Sequence, residues 1–313
     1  MEELKFGVVI VTYNRLHLLK ECLRCVALQK LHFHSIVIVD NCSNDGTKEY
    51  LKELDTKKMN CNTLEVINLD KNLGGAGGFS LGVQRICNDV DYLLLIDDDA
   101  MIHKDFLSSI NNGMTPQILA YSGIVETDGK IDTTHRRRVS NWRFMKKEDV
   151  PKEEYSLPFF DYDLSSFCGL CFKTSLINKI GFPKYEYFIW YDDTEYSLRI
   201  LKFTKIRNIN TAKINHKTII TNEARLNWKS FYGYRNMIDT GKNHSTSPFL
   251  FCTMRYSYHL IRYIQYLTKG LIEINESARR YYLTVSKLHL RVITESISGR
   301  LGVDNVFKPG LKF

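Results

Sequence analysis

Four short apolar runs, each closing on a cluster of polar residues, constrain this chain more than any other feature. They are "FGVVIV" before Thr12-Tyr13-Asn14-Arg15, "SIVIV" before "DNCSNDGT" (40–47), "TLEVINL" before "DKNLGGAGG" (70–78), and "YLLLI" before Asp97-Asp98-Asp99. An unbroken apolar run marks a strand covered on both faces. Between the runs, apolar residues recur at helical spacing, as in Leu16, Leu19, Leu23 and Val26. "TKEYLKEL" reads as a short helix and "GGFSLGVQRICND" as a helix with a glycine-rich entry. Strands alternating with helices imply an α/β fold with an open, mostly parallel sheet flanked by helices.

Beyond Met101 the pattern loosens. Strand-like pieces surround a turn at "TDGK", and the charged, proline-punctuated stretch 146–163 is expected to be an ordered surface loop. Residues 164–181 read as a strand leading into a short helix that stops at Gly181, and "KIRNINTAKINHKT" as a short strand. From about residue 222 the chain is helical, basic and aromatic. The expected domains are therefore 1–221, α/β, and 222–313, helical.

Charge is uneven. Residues 200–313 carry 19 Lys and Arg against 6 Asp and Glu, while residues 1–199 carry 24 against 29. A basic final third suits a polyanionic partner, such as an anionic membrane surface or a phosphate-bearing substrate, or is simply a solvated face. The opening residues do not read as a signal peptide, and no 18-residue run lacks charge, so no transmembrane helix is expected. Eight cysteines in such a chain suggest reduced thiols and a cytoplasmic location. Cys22/Cys25 fall in a helical pattern. Cys168/Cys171 fall in a strand pattern that would point them to opposite faces, so both pairs read as core residues rather than zinc ligands.

Ligands of open α/β sheets bind beyond the carboxyl ends of the strands, where the four polar clusters lie. Asp97 and Asp99 are two apart, and an extended backbone would aim both carboxylates one way with Asp98 opposite. Two such carboxylates suit Mg²⁺ or Mn²⁺ completed by phosphate oxygens; an acidic loop or helix start is the plainer alternative. "NLGGAGGF" is not the G-x-G-x-x-G of dinucleotide sites and follows the third strand, which argues against an NAD-dependent oxidoreductase. Its glycines allow either close ligand approach or close packing. A second acidic cluster, Asp192, Asp193 and Glu195, follows an aromatic run. It could supply a general base, or cap a helix with Glu195 paired to Arg199. His216 stands alone after a strand, and "HRRRVSNWR" (135–143) reads by default as a solvated loop, with a nucleic-acid or diphosphate contact as the alternative.

The set "VVIVTYNR", "IVIVDNCSNDGT", "NLGGAGG", "LLLIDDDA" and "FIWYDDTEYSLR", in that order, resembles the inverting nucleotide-sugar glycosyltransferases of family 2, which have the GT-A fold. The glycine run and the aromatic–Asp-Asp-x-Glu-Tyr segment look most like its galactofuranosyltransferase and rhamnosyltransferase branch. The likeness spans residues 6 to about 240 and includes "FYGYRNM". It implies that Thr12, Tyr13, Asn14 and Arg15 meet the nucleotide and that Asp40, with Asn41 beside it, reads the base edge. Asn72, Gly74 and Gly75 would lie near the donor ribose and sugar. Asp97 and Asp99 match the D-x-D metal ligands, with Asp98 beside the donor, and His216 a histidine that joins the divalent cation. Asp193 matches the catalytic base, with Asp192 beside it; Trp190, Tyr191 and Glu195 fall on the acceptor side. Galactofuranosyltransferases read Trp-Asp-Asp, whereas here Tyr191 separates Trp190 from Asp192. The implied activity is transfer of galactofuranose from UDP to a glycan or lipid-linked saccharide of the cell surface, at the inner face of the plasma membrane. The alternative donor is dTDP-rhamnose. A non-catalytic nucleic-acid-binding protein would leave both acidic clusters unexplained, because they repel phosphate, so no nucleic acid is expected.

Overall fold

The structure, a computed structural model, describes residues 4–217 and 225–313. These fall into two compact units: segments 4–138, 147–185 and 193–217 form one, and segments 139–146, 186–192 and 225–313 the other. The boundary expected at 221/222 lies outside the described residues.

In the first unit β1 (Phe6–Thr12), α1 (Leu16–Ala27), β2 (Ser35–Asp40), α2 (Thr47–Lys52), α3 (Thr56–Met59), β3 (Thr63–Asn68), α4 (Gly74–Ile86) and β4 (Tyr92–Asp97) follow the expected alternation. After a two-residue turn come β5 (Ala100–Ile102), α5 (Phe106–Asn112), β6 (Ala120–Thr127) and β7 (Lys130–Ile131), the last two joined at the "TDGK" turn. Then follow β8 (Arg136–Asn141), β9 (Lys146–Asp149), β10 (Phe159–Tyr162), β11 (Leu164–Ser165), β12 (Leu170–Lys173), α6 (Ile177–Ile180), α7 (Asp192–Ile200) and β13 (Ile206–His216), of which residues 139–141 of β8, Lys146 of β9 and Asp192 of α7 fall in the other unit. The main sheet runs β10-β13-β6-β12-β4-β1-β2-β3. Strands β4, β1, β2 and β3 are parallel, while β12 is antiparallel to both β4 and β6.

The runs of β1, β2 and β4 are unbroken because both faces of the sheet are covered there, whereas β3, at the sheet edge, is only partly buried and carries Glu65 and Asn68. From β1, Val8 and Ile10 join Leu19 and Leu23 of α1 on one side; Val9 and Val11 join Phe79 and Val83 of α4 on the other. The glycine-rich run is mostly helix, and Gly78 within it and Gly82 one turn further along α4 are there for packing. A Cβ on Gly82 would lie 2.3 Å from Val9 Cγ1, and one on Gly78 2.6 Å from Val11 Cγ1. The stretch 146–163 holds β9, β10 and a short 3₁₀ turn rather than a plain loop. Cys22, Cys168 and Cys171 are free and buried in the core. Cys168 and Cys171 share one side of the sheet, not opposite faces, because Gly169 at φ +90° resets the chain before β12 begins.

The second unit is helical: α8 (Trp228–His244), α9 (Pro248–Ile272) and α10 (Glu276–Ser298). Their ends carry the expected signals. Asn227 and Ser230 form a capping box, Pro248 occupies the first turn of α9, Asn275 caps α10, and Gly299 ends it at φ +68°. Phe231, Tyr232, Leu288, Val292 and Phe307 form the core with Phe188 of the segment 186–192. Among the described residues no helix is long and apolar enough to cross a membrane.

Candidate active site

Strand order reverses at β1, which has β2 on one side and β4 on the other. A crevice opens beyond the carboxyl ends of strands at such a point. Register sets Thr12 beside Asp40 and Val11 beside Asp97, so three of the four polar clusters meet at this edge.

The loop after β1 is locked by the loop after β2. Asn14 adopts φ +52°, its N–H donates to Ser43 Oγ (2.9 Å), and its Oδ1 accepts from Asn44 N (2.8 Å). Asp45 Oδ2 accepts from Leu16 N at the start of α1 (2.9 Å). Tyr13 stays exposed. Asp40 and Asn41 are buried. Asp40 Oδ1 accepts from Ser43 N (3.1 Å). Asn41 holds the start of α4, accepting from Leu73 N and donating to Gly74 O, both at 2.8 Å. Asn72 Oδ1 accepts from Gly74 N (2.7 Å). Gly75, one residue on, has open space where a Cβ would point.

The three aspartates are not arranged as an extended strand would set them. β4 ends at Asp97, and Asp98 and Asp99 form the turn into β5, so the alternation stops. Asp98 Oδ2 accepts from Thr12 Oγ1 (2.8 Å), and Arg15 Nη1 reaches both Asp98 Oδ1 (3.3 Å) and Asp99 Oδ2 (2.6 Å). Burial, with repulsion from Asp99 and Asp98, pushes Asp97 up to about 7. Burial also lifts Asp98 to about 6, against the pull of Arg15. Asp99 behaves differently: burial would raise it, but His216 and Arg15 outweigh burial and hold it below the usual carboxylate range. Correspondingly, burial would lower His216, but Asp99 raises it.

His216, the last residue of β13, puts Nε2 3.2 Å from Asp99 Oδ1. Asp99 Oδ1 and His216 Nδ1 are buried yet have no aligned hydrogen bond. Among the described residues no three His, Cys, Asp or Glu side chains form a ready-made metal cage. A hard divalent cation keeps water and phosphate ligands rather than filling its sphere from protein. Two carboxylates, an imidazole and unused buried polar atoms are a suitable donor set for one.

His135 went unnoticed in the sequence. Its ring stands edge-on to His216 at 5.0 Å, its Nδ1 is 2.7 Å from Ser166 Oγ, and its Nε2 is 3.6 Å from Asp132. It lay hidden in "HRRR", read as a solvated loop, and that expectation fails. Arg136 is fully buried and donates to Gly123 O and Cys168 O; Arg137 pairs with Asp149 and Arg138 with Glu154. All three arginines are thus engaged by groups within the protein.

On α7, Asp193 Oδ1 accepts from Thr194 N, and its carbonyl accepts from Ser197 Oγ, which in turn accepts from Ser165 N (3.0 Å). Glu195 is buried; Arg199 donates to it (3.0 Å) and to the carbonyls of Ile180 and Phe182, so the i,i+4 pair exists. In the second unit, Asp192 is buried and Trp190 is 48% exposed. Phe188, Trp190 and Tyr191 all have positive φ, between 65° and 70°. Such a conformation is costly for bulky residues and survives where the surroundings enforce it.

Residues 7–169 match the model of the family described as Glycosyl transferase family 2, and the chain belongs to that family. It is an enzyme of the glycosyltransferase class with the GT-A fold. It is 24% identical over 217 residues to an uncharacterised glycosyltransferase, YwdF, of Bacillus subtilis, covering 67% of this chain and 73% of that protein. It is 25% identical over 201 residues to the galactofuranosyltransferase GlfT1 of Mycolicibacterium smegmatis, covering 62% of this chain and 64% of that protein. Among solved structures, GalNAc-T7 with UDP, GalNAc and Mn²⁺ superposes with a TM-score of 0.64 at 15% identity, over 95% of this chain and 58% of that one.

Proposed function

We propose that the chain transfers galactofuranose from UDP to a glycan or lipid-linked saccharide acceptor, with inversion at the anomeric carbon. The observation that carries the reading is the meeting of Arg15, Asp98, Asp99 and His216 at the point where strand order reverses. The GlfT1 likeness and the aromatic–Asp-Asp-x-Glu-Tyr segment favour galactofuranose.

In this reading Asp40 and Asn41 face the uracil, and Thr12, Tyr13, Asn14 and Arg15 border the nucleotide. Asn72, Gly74 and Gly75 border the ribose and sugar, where the bare Gly75 lets the donor approach the backbone. Asp97, Asp99 and His216 would hold a divalent cation, Mn²⁺ or Mg²⁺. When bound, that ion supplies charge neutralisation to the departing diphosphate. Asp98, fixed by Thr12 and Arg15, orients the donor. Asp193 accepts the proton of the acceptor hydroxyl as it attacks, with Asp192 beside it, and Trp190, Tyr191 and Glu195 flank the acceptor. The basic helical region from 222 onward contacts the acceptor, and a lipid-linked acceptor places the enzyme at the cytoplasmic face of a membrane as a peripheral protein.

A donor screen tests the reading. UDP-galactofuranose, UDP-galactopyranose, UDP-glucose and dTDP-rhamnose are incubated with enzyme and Mn²⁺, with Asp193→Asn as control. Preference for UDP-galactofuranose, lost in the variant, is expected. Turnover of dTDP-rhamnose alone would move the sugar assignment to that donor, and full activity in the variant would remove Asp193 as base.

A further inference from the structure

Arg15 directly precedes α1, and its carbonyl accepts from Leu18 N and Leu19 N, both at 3.0 Å. Its backbone is thereby anchored, while its side chain is 47% exposed. The carboxylates it reaches are held more firmly. Asp98 and Asp99 are buried, and Asp98 Oδ2 accepts from both Thr12 Oγ1 (2.8 Å) and Tyr13 N (3.4 Å). Both contacts of the guanidinium run through Nη1; among the described residues Nε and Nη2 make no hydrogen bond. Arg15 is also, among the described residues, the one Lys or Arg within salt-bridge distance of Asp98 or Asp99. Lys217, just past β13, pairs with Glu21 instead (2.5 Å).

The two oxygens of Asp99 divide between two partners. Oδ2 faces Arg15 Nη1 at 2.6 Å, and Oδ1 faces His216 Nε2 at 3.2 Å. A divalent cation held by Asp99 and His216 and the Arg15 guanidinium thus share one carboxylate. Two positive charges on one carboxylate repel each other, and a dication a few ångströms from a monocation loses about tenfold in affinity even with water-like screening. A nucleoside diphosphate has the opposite sign. An arginine with spare N–H groups is a natural partner for its phosphates.

We propose that Arg15 makes binding of the divalent cation depend on the nucleotide: its charge opposes the ion at Asp99, and a diphosphate that pairs with Arg15 removes the opposition. This rests on the functional reading of Asp99 and His216 as cation ligands and of Arg15 as a neighbour of the nucleotide, and adds a linkage between them. Linkage is reciprocal, so the cation tightens nucleotide binding by the same factor. A purely structural Arg15, tying the loop after β1 to the Asp98–Asp99 turn, predicts the opposite sign. Loss of the tie would leave Asp99 less firmly placed and weaken the ion.

The test is titration of the full chain with Mn²⁺, with and without saturating UDP, reading free Mn²⁺ by electron paramagnetic resonance. Arg15→Gln should bind Mn²⁺ without UDP roughly tenfold more tightly than the unaltered chain. With UDP its affinity for Mn²⁺ should be little changed, so the gain that UDP brings shrinks by the same factor. Arg15→Lys keeps the charge and should match the unaltered chain without UDP. Melting temperatures check that the variants are folded, and should Arg15→Gln misfold, Arg15→Met carries the same expectation. Mn²⁺ affinity that is unchanged or weaker in the neutral variant, while UDP still tightens Mn²⁺ in the unaltered chain, overturns the proposal and leaves the cation ligands standing. No Mn²⁺ binding by the unaltered chain, with UDP or without, overturns both.

Discussion

Asn236 Nδ2 donates to the carbonyl of Trp190 at 2.9 Å. The same amide group reaches the carbonyls of Tyr187 (2.9 Å) and Ile189 (3.0 Å), and Arg235 donates to Asn236 Oδ1 (3.1 Å). One buried side chain thus ties down the segment in which Phe188, Trp190 and Tyr191 hold positive φ, immediately before α7. Gly233 completes the seat: a Cβ there would lie 2.8 Å from the Trp190 ring. Asn236→Ala removes the donor and leaves buried carbonyls unpaired, at a cost of about 1–3 kcal/mol. It should lower the melting temperature and reduce sugar transfer at least tenfold, while calorimetry with UDP shows unchanged donor affinity.

The Asp99–His216 pair gives a prediction about metal. If the pair receives a divalent cation, EDTA should weaken UDP binding at least tenfold, and Mn²⁺ should restore it. Asp99→Asn removes a carboxylate charge from the donor set and should abolish the restoration. Calorimetric titration with UDP, with and without Mn²⁺, checks both. Metal-independent UDP binding in the unaltered enzyme would take the cation out of the donor site.

Two glycines of one helix should respond in opposite ways. Gly82→Ala drives a methyl group into Val9 and should destabilise the protein by about 1–3 kcal/mol through overpacking. Gly75→Ala meets nothing and should leave the melting temperature unchanged or slightly raised, because alanine favours helix. If the donor passes over Gly75, the same methyl group should weaken UDP-sugar binding. Melting curves and donor titration of the two variants separate packing from binding.

The parallel half of the sheet was legible because β1, β2 and β4 are covered on both faces, which leaves an apolar run that needs no alternation to be read. The polar edge beyond the strands was legible at Thr12, Asp40 and Asp97 for the same reason, since polar residues there end such runs. What escaped depended on tertiary contacts. Asp98 and Asp99 leave the strand pattern because the chain turns after Asp97, and alternation says nothing about a turn. His135 and Arg136 sit in a charge run that looks solvent-facing, yet Arg136 is sealed by carbonyls of distant segments. Asn236 carries no local signature, since a buried amide in a helix reads like any polar helical residue.

His259 and His289 supply a pH dependence. Their Nδ1 atoms are 2.8 Å apart, both rings are buried, and neither Nε2 has a hydrogen-bond partner. The rings of Tyr234, Tyr258 and Tyr266 surround the pair, and Arg255 and Arg262 add positive charge. Burial, then the neighbouring His289 and Arg255, lower His259 to about 3; burial and Arg262 lower His289 to about 4. Both are therefore neutral in the folded protein, while the unfolded chain binds protons below its ordinary value of about 6.5. The stabilisation is present in full above pH 6.5 and is lost as pH falls from there towards 4. At roughly 1.4 kcal/mol per pH unit and histidine, the pair should give up about 2–4 kcal/mol by pH 5. Melting temperatures at pH 7.5 and 5 should show that loss. His259→Leu/His289→Leu removes both partners of the hydrogen bond together, so it should cost little at pH 7.5 and flatten the acid slope. An acid slope that persists in the double variant would assign it to other groups.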